Sequence, residues 1–512
     1  MKLLSASQLK FLDQATIEQK PIPSLELMEK ASAECVKWIL ENLDKEKFII
    51  FAGKGNNGGD GLATARLLFQ QGKEVKVFVV ENSSRFTTDC QTNLQRLPKE
   101  IIVKHLNEHK NLPDQLPKDA VIIDAIFGLG LSRELPEWIQ NLLQHLNKQN
   151  CLRIAIDLPS GMFADPPQSP TSTIFKADFT LTFHKPKINM LLPSVGNFVG
   201  KIIVLDIGLL KELENQLETN YYLHDFEHIS HLYNQRQPRP TFSHKGTYGH
   251  ALLVVGSYGK GGAAVLASQA CMRSGVGLLS VLSPRCNYVA LQTNIPEAMF
   301  MVSENETHIS DFSFSQEFQA VGIGCGIGTH PETQMMLKNL LQQSPSNVVL
   351  DADALNILAQ NPAWLELLPK GSILTPHPKE FARLAGSWQD DAECMNKMRD
   401  FAQKYKCFLL LKGAFSRIAT PEGNIYFNPT GNPAMASAGM GDALTGVVTA
   451  LLAQGYAPYE ALSIGVFVHG LAADLFVENT QNPYLLASDL IGYLGKAFAV
   501  LKRNILVQKW FL

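Results

Sequence analysis

Neither a C-x-x-C pair, nor a long run of basic residues, nor about 18 consecutive apolar residues occurs in this 512-residue sequence, and each absence removes a class of protein. The eight cysteines (Cys35, Cys90, Cys151, Cys271, Cys286, Cys325, Cys394, Cys407) are scattered and have no histidine at zinc-ligand spacing. They read as buried or half-buried thiols in a reducing compartment, which excludes a disulfide frame and a cysteine zinc site. Lys plus Arg (45) nearly balances Asp plus Glu (48), so no electrostatic footprint for nucleic acid or an anionic membrane is expected. A small-molecule substrate is the better default. The opening MKLLSASQLKFLDQAT turns polar too soon for a signal peptide, and with no membrane span the expected location is cytoplasmic.

What is present is ordinary globular chain, 46% hydrophobic and 18% charged, which excludes disorder and favours compact domains with buried sheets. A single hydrophobic core stops growing at about 250–300 residues, so at least two domains are expected. Residues 1–205 alternate apolar runs with amphipathic stretches, the order of a parallel sheet flanked by helices. The predicted strands are Phe48–Ala52, Val75–Val80, Ala120–Asp124, Leu152–Asp157, Phe179–Phe183 and Ile202–Asp206, with a helix over Asp60–Gln71 that stops at Gly72. The pattern loosens after Asp206, which places a boundary near residues 209–220. A second series follows in ALLVVGS, GLLSVLS, AVGIGCGIG, NVVLDADAL, SILTPHP and CFLLLKG, closed by helical runs from Asp442 to Leu451 and around Leu462–Phe476. The expected fold is α/β throughout: a Rossmann-like, doubly wound domain over residues 1–213 and a second α/β domain over 221–512.

In the first half, the apolar run of FAGKGNNGGDGLATARLL leads straight into a glycine-dense turn that opens a helix. Glycine lets backbone approach a ligand, and free N–H groups at a helix start attract anions. The spacing is not the G-x-G-x-x-G of a dinucleotide dehydrogenase. A purely structural strand–helix turn is the alternative, but two asparagines and an aspartate among the glycines exceed what a turn needs. Two more strands end in carboxylates before flexible loops, Asp124 in VIIDAIFGLGLSRELP and Asp157 in RIAIDLPSGM. Each aspartate alone is more commonly a cap or turn residue. Three such loops converge on one crevice in a doubly wound sheet.

The segments GNNGGDG, DAIFGLG, DLPSG, ADFTLTFHKPK and VLDIG resemble the NAD(P)H-hydrate epimerase family across residues 1–210. The resemblance implies that Asn57, Asp124 and Ser160 hold K+. It also implies that Asn56, Asn57, Gly58, Gly59, Asp60, Gly128, Leu129, Gly130, Leu131, Ser132, Arg133, Glu134 and Asp157 contact a hydrated dinucleotide. Asp157 would be the acid–base group where the C6 hydroxyl leaves and returns. Lys187 stands where the family often has glycine.

The second half contains GNPAMASAGMGDALTGVVTALL, a small-residue loop that runs into a helix at Gly441-Asp442. A glycine-lined helix start is an anion hole for phosphate, and Asp442 at its mouth can accept a proton from an attacking hydroxyl. An aspartate N-cap among incidental glycines is the bland alternative. The stretch resembles the ribokinase-like superfamily. With HKGTYGHALLVVGSYGKGGAA, GIGCGIG, VVLDADALN, ILTPHPKEFARL and LLLKGAFS, the match over residues 244–455 is to the ADP/ATP-dependent NAD(P)H-hydrate dehydratase family. That implies a ribokinase-like fold, Ala263, Gly326, His377 and Asp442 at the hydrated substrate, and Lys412, Gly413, Ala414, Phe415, Ser416 and Gly441 at ADP or ATP. Taken alone, His377 would more often be an ordinary loop histidine. Mg2+ would accompany the phosphates, with Asp351 and Asp353 as outer ligands or as strand-end turn residues. Cys325 and Lys379 stand where the family usually has proline and glycine.

Together the two resemblances imply repair of hydrated NADH and NADPH, epimerisation in one half and nucleotide-driven dehydration in the other, in a self-associating enzyme. Two alternatives stay open: a ribokinase-like kinase of some other small alcohol, and a first half that is a non-catalytic binding module.

Overall fold

The computed structural model describes residues 1–20, 22–108, 115–169, 171–310 and 318–503. The chain divides into two compact units, one built essentially of residues 2–219 and the other of residues 220 onward.

The N-terminal unit is organised on seven strands, β1 (Lys47–Ala52), β2 (Glu74–Val80), β3 (Ile102–Leu106), β4 (Val121–Ala125), β5 (Leu152–Ile156), β6 (Phe179–Phe183) and β7 (Lys201–Leu205). They are parallel throughout and lie in the order β3-β2-β1-β4-β5-β6-β7. Successive residues of a strand face opposite sides, and both sides are covered here. In β1, Phe48 and Ile50 enter one core, whereas Ile49 and Phe51 enter the other. A strand buried on two faces reads as one apolar run, so the central strands are visible in sequence. Edge strand β3 is not, because Ile102, Lys104 and His105 all face solvent and leave no apolar pattern.

The C-terminal unit has β8 (Tyr221–Leu223), β9 (His250–Val254), β10 (Leu278–Pro284), β11 (Met299–Ser303), β12 (Ala320–Ile323), β13 (Val348–Leu350), β14 (Ile373–Leu374), β15 (Phe408–Leu411), β16 (Arg417–Ala419) and β17 (Ile425–Phe427). One ten-stranded sheet joins them in the order β11-β10-β9-β12-β13-β14-β15-β16-β17-β8. It is parallel from β11 to β15 and antiparallel at β15-β16 and β16-β17. The patternless segment after Asp206 supplies β8, whose three residues are too few to show alternation.

The core of this unit is formed largely by helices Gly261–Arg273, Met440–Ala453 and Pro458–Thr480. The last is long and apolar enough to cross a membrane by length and composition, yet most of it is buried in this core. Met440–Ala453 lies close against Gly261–Arg273 because Gly446 has no side chain. A Cβ there would sit 2.0 Å from the Ala267 carbonyl oxygen. Gly446→Ala therefore forces two backbones apart, at about 1–3 kcal/mol of overpacking. Alanine's better helix propensity returns no more than about 1 kcal/mol. A urea or thermal melt should show the C-terminal unit destabilised, and an unchanged midpoint would remove this packing argument.

Candidate active sites

In the N-terminal unit, strand order reverses between β1 and β4, and the loops leaving the carboxyl ends of β1, β4, β5, β6 and β7 enclose a cavity of ≈520 Å³. The first loop differs from expectation. The helix begins at Asn56 rather than Asp60, so Asn56-Asn57-Gly58-Gly59-Asp60 forms its first turns. Of the expected substrate contacts, Asn56, Asn57, Asp60, Gly128–Arg133 and Asp157 line the cavity. Gly58, Gly59 and Glu134 are not among its lining residues. The two glycines serve packing: a Cβ at Gly58 would lie 1.9 Å from the Gly53 carbonyl oxygen, and one at Gly59 would lie 2.7 Å from Met28 Sδ.

Asp157, just past β5, is buried and holds a positive φ of 64°, costly for a residue with a side chain. Its carboxylate accepts a hydrogen bond from the Lys187 ammonium. That lysine is 1% exposed and also donates to Thr182 Oγ1 at 2.7 Å. The sequence marked Lys187 only as a departure in a loop; adjacency of β5 and β6 makes it the counter-ion of Asp157. Asp13, from helix Ala6–Gln19, lines the same cavity and belongs to none of the motifs. Burial and then the charge of Asp157 push its carboxyl up to about 6, against the pull of Lys187. Burial, followed by Asp157 and Asp13, also pushes the Asp60 carboxyl well up.

Behind the cavity, the fully buried Asp124 accepts hydrogen bonds from Ser160 Oγ at 2.6 Å and Ser160 N at 2.7 Å. Burial raises its carboxyl to about 6, while the Ser160 and Ile126 hydrogen bonds pull it down. Asn57 donates through Nδ2 to the Phe127 carbonyl at 2.8 Å, whereas its buried Oδ1 has no hydrogen-bond partner. Phe127 links the two groups, its carbonyl accepting from Asn57 and its N–H donating to Ser160 Oγ, and the orphaned amide oxygen, carboxylate and hydroxyl offer the oxygen donors that suit a weakly polarising cation.

In the C-terminal unit, Lys412, Gly413, Ala414, Phe415, Ser416 and Gly441 all line one cavity of ≈540 Å³. Its other wall combines Gly431, Asn432, Pro433, Met435 and Ala436, the start of the GNPAMASAGMGD stretch, with Asn428, Pro429, Thr430, Val466, His469 and Gly470, which belong to no motif. His469, within helix Pro458–Thr480, shares a 3.0 Å hydrogen bond with the carbonyl of Met440 at the start of helix Met440–Ala453; burial lowers its imidazole to about 4. At the cavity floor Lys412 donates to Asp351 Oδ1 at 2.7 Å, and Thr445 Oγ1 donates to Asp351 Oδ2 at 3.0 Å. Burial pulls the Lys412 ammonium down, but Asp351 more than offsets this and holds it above its ordinary value. A Cβ on Gly441 would stand 3.3 Å from both Asp351 Oδ2 and Lys412 Nζ, so a larger residue here would press on the pair.

Asp442 follows in the first turn of helix Met440–Ala453. Burial raises its carboxyl, a hydrogen bond from the Cys325 thiol lowers it, and Asp351 raises it again. Cys325 is thus a neighbour of the Asp442 carboxylate rather than a neutral loop substitution. The expected outer metal ligands also accept hydrogen bonds from the protein. Asp351 has both oxygens taken by Lys412 and Thr445. Asp353 accepts from Gly328 N at 2.8 Å, Lys260 Nζ at 3.0 Å and Asn356 Nδ2 at 3.2 Å. Ala263 and Gly326 come together, since a Cβ on Gly326 would lie 3.1 Å from that of Ala263. His377 caps helix Pro378–Ala385, its Nδ1 accepting from the backbone N–H groups of Lys379 and Glu380.

A family model described as NAD(P)H-hydrate dehydratase matches residues 251–496, and one described as YjeF-related protein N-terminus matches residues 24–189. The bifunctional NAD(P)H-hydrate repair enzyme Nnr of Moorella thermoacetica is 34% identical over 99% of this chain and 98% of its own. Its namesake from Escherichia coli is 32% identical over 88% of this chain and 85% of its own. A solved ADP/ATP-dependent NAD(P)H-hydrate dehydratase from Bacillus subtilis, co-crystallised with ATP and Mg2+, is 29% identical. It covers 56% of this chain and 100% of that one, with a TM-score of 0.48.

Removing Lys187 leaves a buried carboxylate without its counter-ion. Lys187→Met should destabilise the N-terminal unit by about 3–5 kcal/mol in a urea melt. The double variant Asp157→Asn/Lys187→Met removes both charges and should recover most of that loss. Additive effects would mean that the two groups are not coupled.

Proposed function

Since the chain belongs to the bifunctional NAD(P)H-hydrate repair enzymes, we propose that its two units perform successive steps on one damaged cofactor. In this reading residues 2–219 interconvert the R and S hydrates of NADH and NADPH at C6. The remainder of the chain dehydrates the S hydrate at the expense of ADP or ATP. Relatives matched along nearly the whole chain leave no support for an unrelated kinase joined to an idle binding module.

The observation that carries the dehydratase assignment is Asp442 in the first turn of a helix, one residue beyond a cavity walled by Lys412–Ser416 and Gly441. Helix-start N–H groups and the Lys412 ammonium favour the nucleotide phosphates. Asp442, whose basicity burial raises, takes the proton of the C6 hydroxyl as that oxygen attacks the terminal phosphoryl group. Water is a poor leaving group and phosphate a good one. The C6–O bond then breaks with loss of a C5 proton, which restores the ring double bond and releases inorganic phosphate with AMP or ADP. Mg2+ would enter on the phosphates, and Asp351 and Asp353, each already accepting hydrogen bonds from the protein, would act on it as outer ligands.

For epimerisation, the lone pair of the ring nitrogen expels the C6 hydroxyl as it is protonated, and water returns on the opposite face. Asp157 carries those protons, with Lys187 fixing its carboxylate and Asp13 across the same cavity. Asn57, Asp124 and Ser160 would hold K+, which when bound supplies a positive charge that draws together the loops after β1, β4 and β5.

A mixture of R and S hydrates with each nucleotide tests both assignments. Asp442→Asn should lower nucleotide-dependent turnover of the S hydrate by at least about 10²-fold while R/S exchange continues. Asp157→Asn should leave S turnover intact and reduce R consumption to the spontaneous rate. Loss of both activities from either substitution would contradict separate sites. Replacing K+ by a large organic cation should slow R/S exchange, and Asp124→Asn should make the exchange indifferent to that replacement. Equal K+ dependence in that variant would place the ion elsewhere.

A further inference from the structure

Outside both cavities, the C-terminal unit brings together His308, in the loop after β11, with His330 and Glu332 at the start of helix Pro331–Gln342. One potential ligand atom from each lies within 4.8 Å of the other two. His308 Nε2 and Glu332 Oε2 are 3.1 Å apart. The two imidazole centroids are 3.8 Å apart, with the ring planes at 32°. Zn2+ with bonds of about 2.0–2.1 Å in a tetrahedron sets its ligand atoms roughly 3.3 Å apart, close to the His308–Glu332 separation. Two imidazolium cations packed this closely would repel, whereas two imidazoles on one cation would not.

The scaffold around the three side chains is braced on both sides. The buried Thr333 hydroxyl donates to the Ile309 carbonyl at 2.6 Å, tying the helix start to the loop that carries His308. Ser310 N donates to Ser303 Oγ at 3.0 Å, and Tyr258 N to the Thr307 carbonyl at 2.8 Å, which fixes the loop's path. Thr307 Oγ1 stands 3.3 Å from His308 Nδ1, an outer partner of the kind that orients a ligating imidazole through its other nitrogen. His330 and Glu332 are exposed, so an ion has a way in.

We propose that His308, His330 and Glu332 form a binding site for one divalent transition-metal ion, Zn2+ or a close analogue, that cross-links the loop after β11 to helix Pro331–Gln342. Two imidazoles and one carboxylate select such an ion over K+ or Mg2+, which prefer oxygen alone. Three protein ligands leave a fourth position for water.

The test uses the full chain, stripped with a chelator, returned to K+ buffer and titrated with Zn2+ against a chromophoric competitor. The wild-type chain should bind one Zn2+ that His330→Asn and Glu332→Gln each bind at least about 10- to 100-fold more weakly, as losing a direct ligand costs no less than losing an outer partner. Asparagine can still cap the helix at position 330, and both changes lie on the surface, so the metal-free melting temperatures should match the wild type. Added Zn2+ should raise the wild-type melting temperature and leave those of the variants unmoved. Equal Zn2+ stoichiometry and affinity in all three proteins, or no Zn2+ bound by the wild type, would overturn the site and leave an ordinary surface His–Glu pair.

Discussion

Parallel strands cannot be joined by tight turns, and the crossovers that join them deliver every strand-to-helix loop to the same edge of the sheet. Where strand order reverses, at β1/β4 in one unit and β9/β12 in the other, successive crossovers depart in opposite directions and leave a crevice between them. The N-terminal cavity opens at such a reversal, and in the C-terminal unit the loops after β9 and β12 bring Ala263 and Gly326 together while the cavity itself follows β15 and β17. Asp157 and Lys187 meet because β5 and β6 are hydrogen-bonded neighbours. Asp351 and Lys412 likewise follow β13 and β15, which flank β14 in the other sheet.

Each site sets a lysine ammonium on an aspartate in a poorly solvated place, and the two pairs do different work. Lys187 binds Asp157, whose backbone has a positive φ. Lys412 binds Asp351, a carboxylate that also accepts a hydrogen bond from Thr445, and stands beside Gly441 at the helix start. Asp442 has the Cys325 thiol as a hydrogen-bonding neighbour and feels Lys412 only through its charge, and burial raises its carboxyl. A buried charge needs a partner, and in one unit the lysine is paired with the cavity aspartate Asp157, in the other with Asp351 rather than Asp442.

The glycines divide in the same way. Gly441 is small so that a helix start can approach charged groups, whereas Gly58 and Gly446 are small so that backbone can approach backbone. A glycine-dense motif looks the same in both cases. The GNNGGD segment shows how the two uses combine, because Asn56, Asn57 and Asp60 line the cavity while the glycines between them face packed atoms. Helical spacing, which begins at Asn56, turns alternate stretches of one motif to opposite sides.

Sequence by itself determined the fold class, the central strands, and the Gly441-Asp442 and GNNGGDG motifs, because strands buried on two faces must be apolar runs and motif chemistry is local in the chain. It could not show β3 or β8, one too exposed and the other too short to carry a pattern. Only the tertiary structure decided that Lys187 and Asp13 share a cavity with Asp157, that Cys325 touches Asp442, and that Asp353 is spent on Lys260 and Gly328. Those pairings join residues far apart in the chain, and the order and register of strands, which bring them together, are set by packing that no short segment encodes.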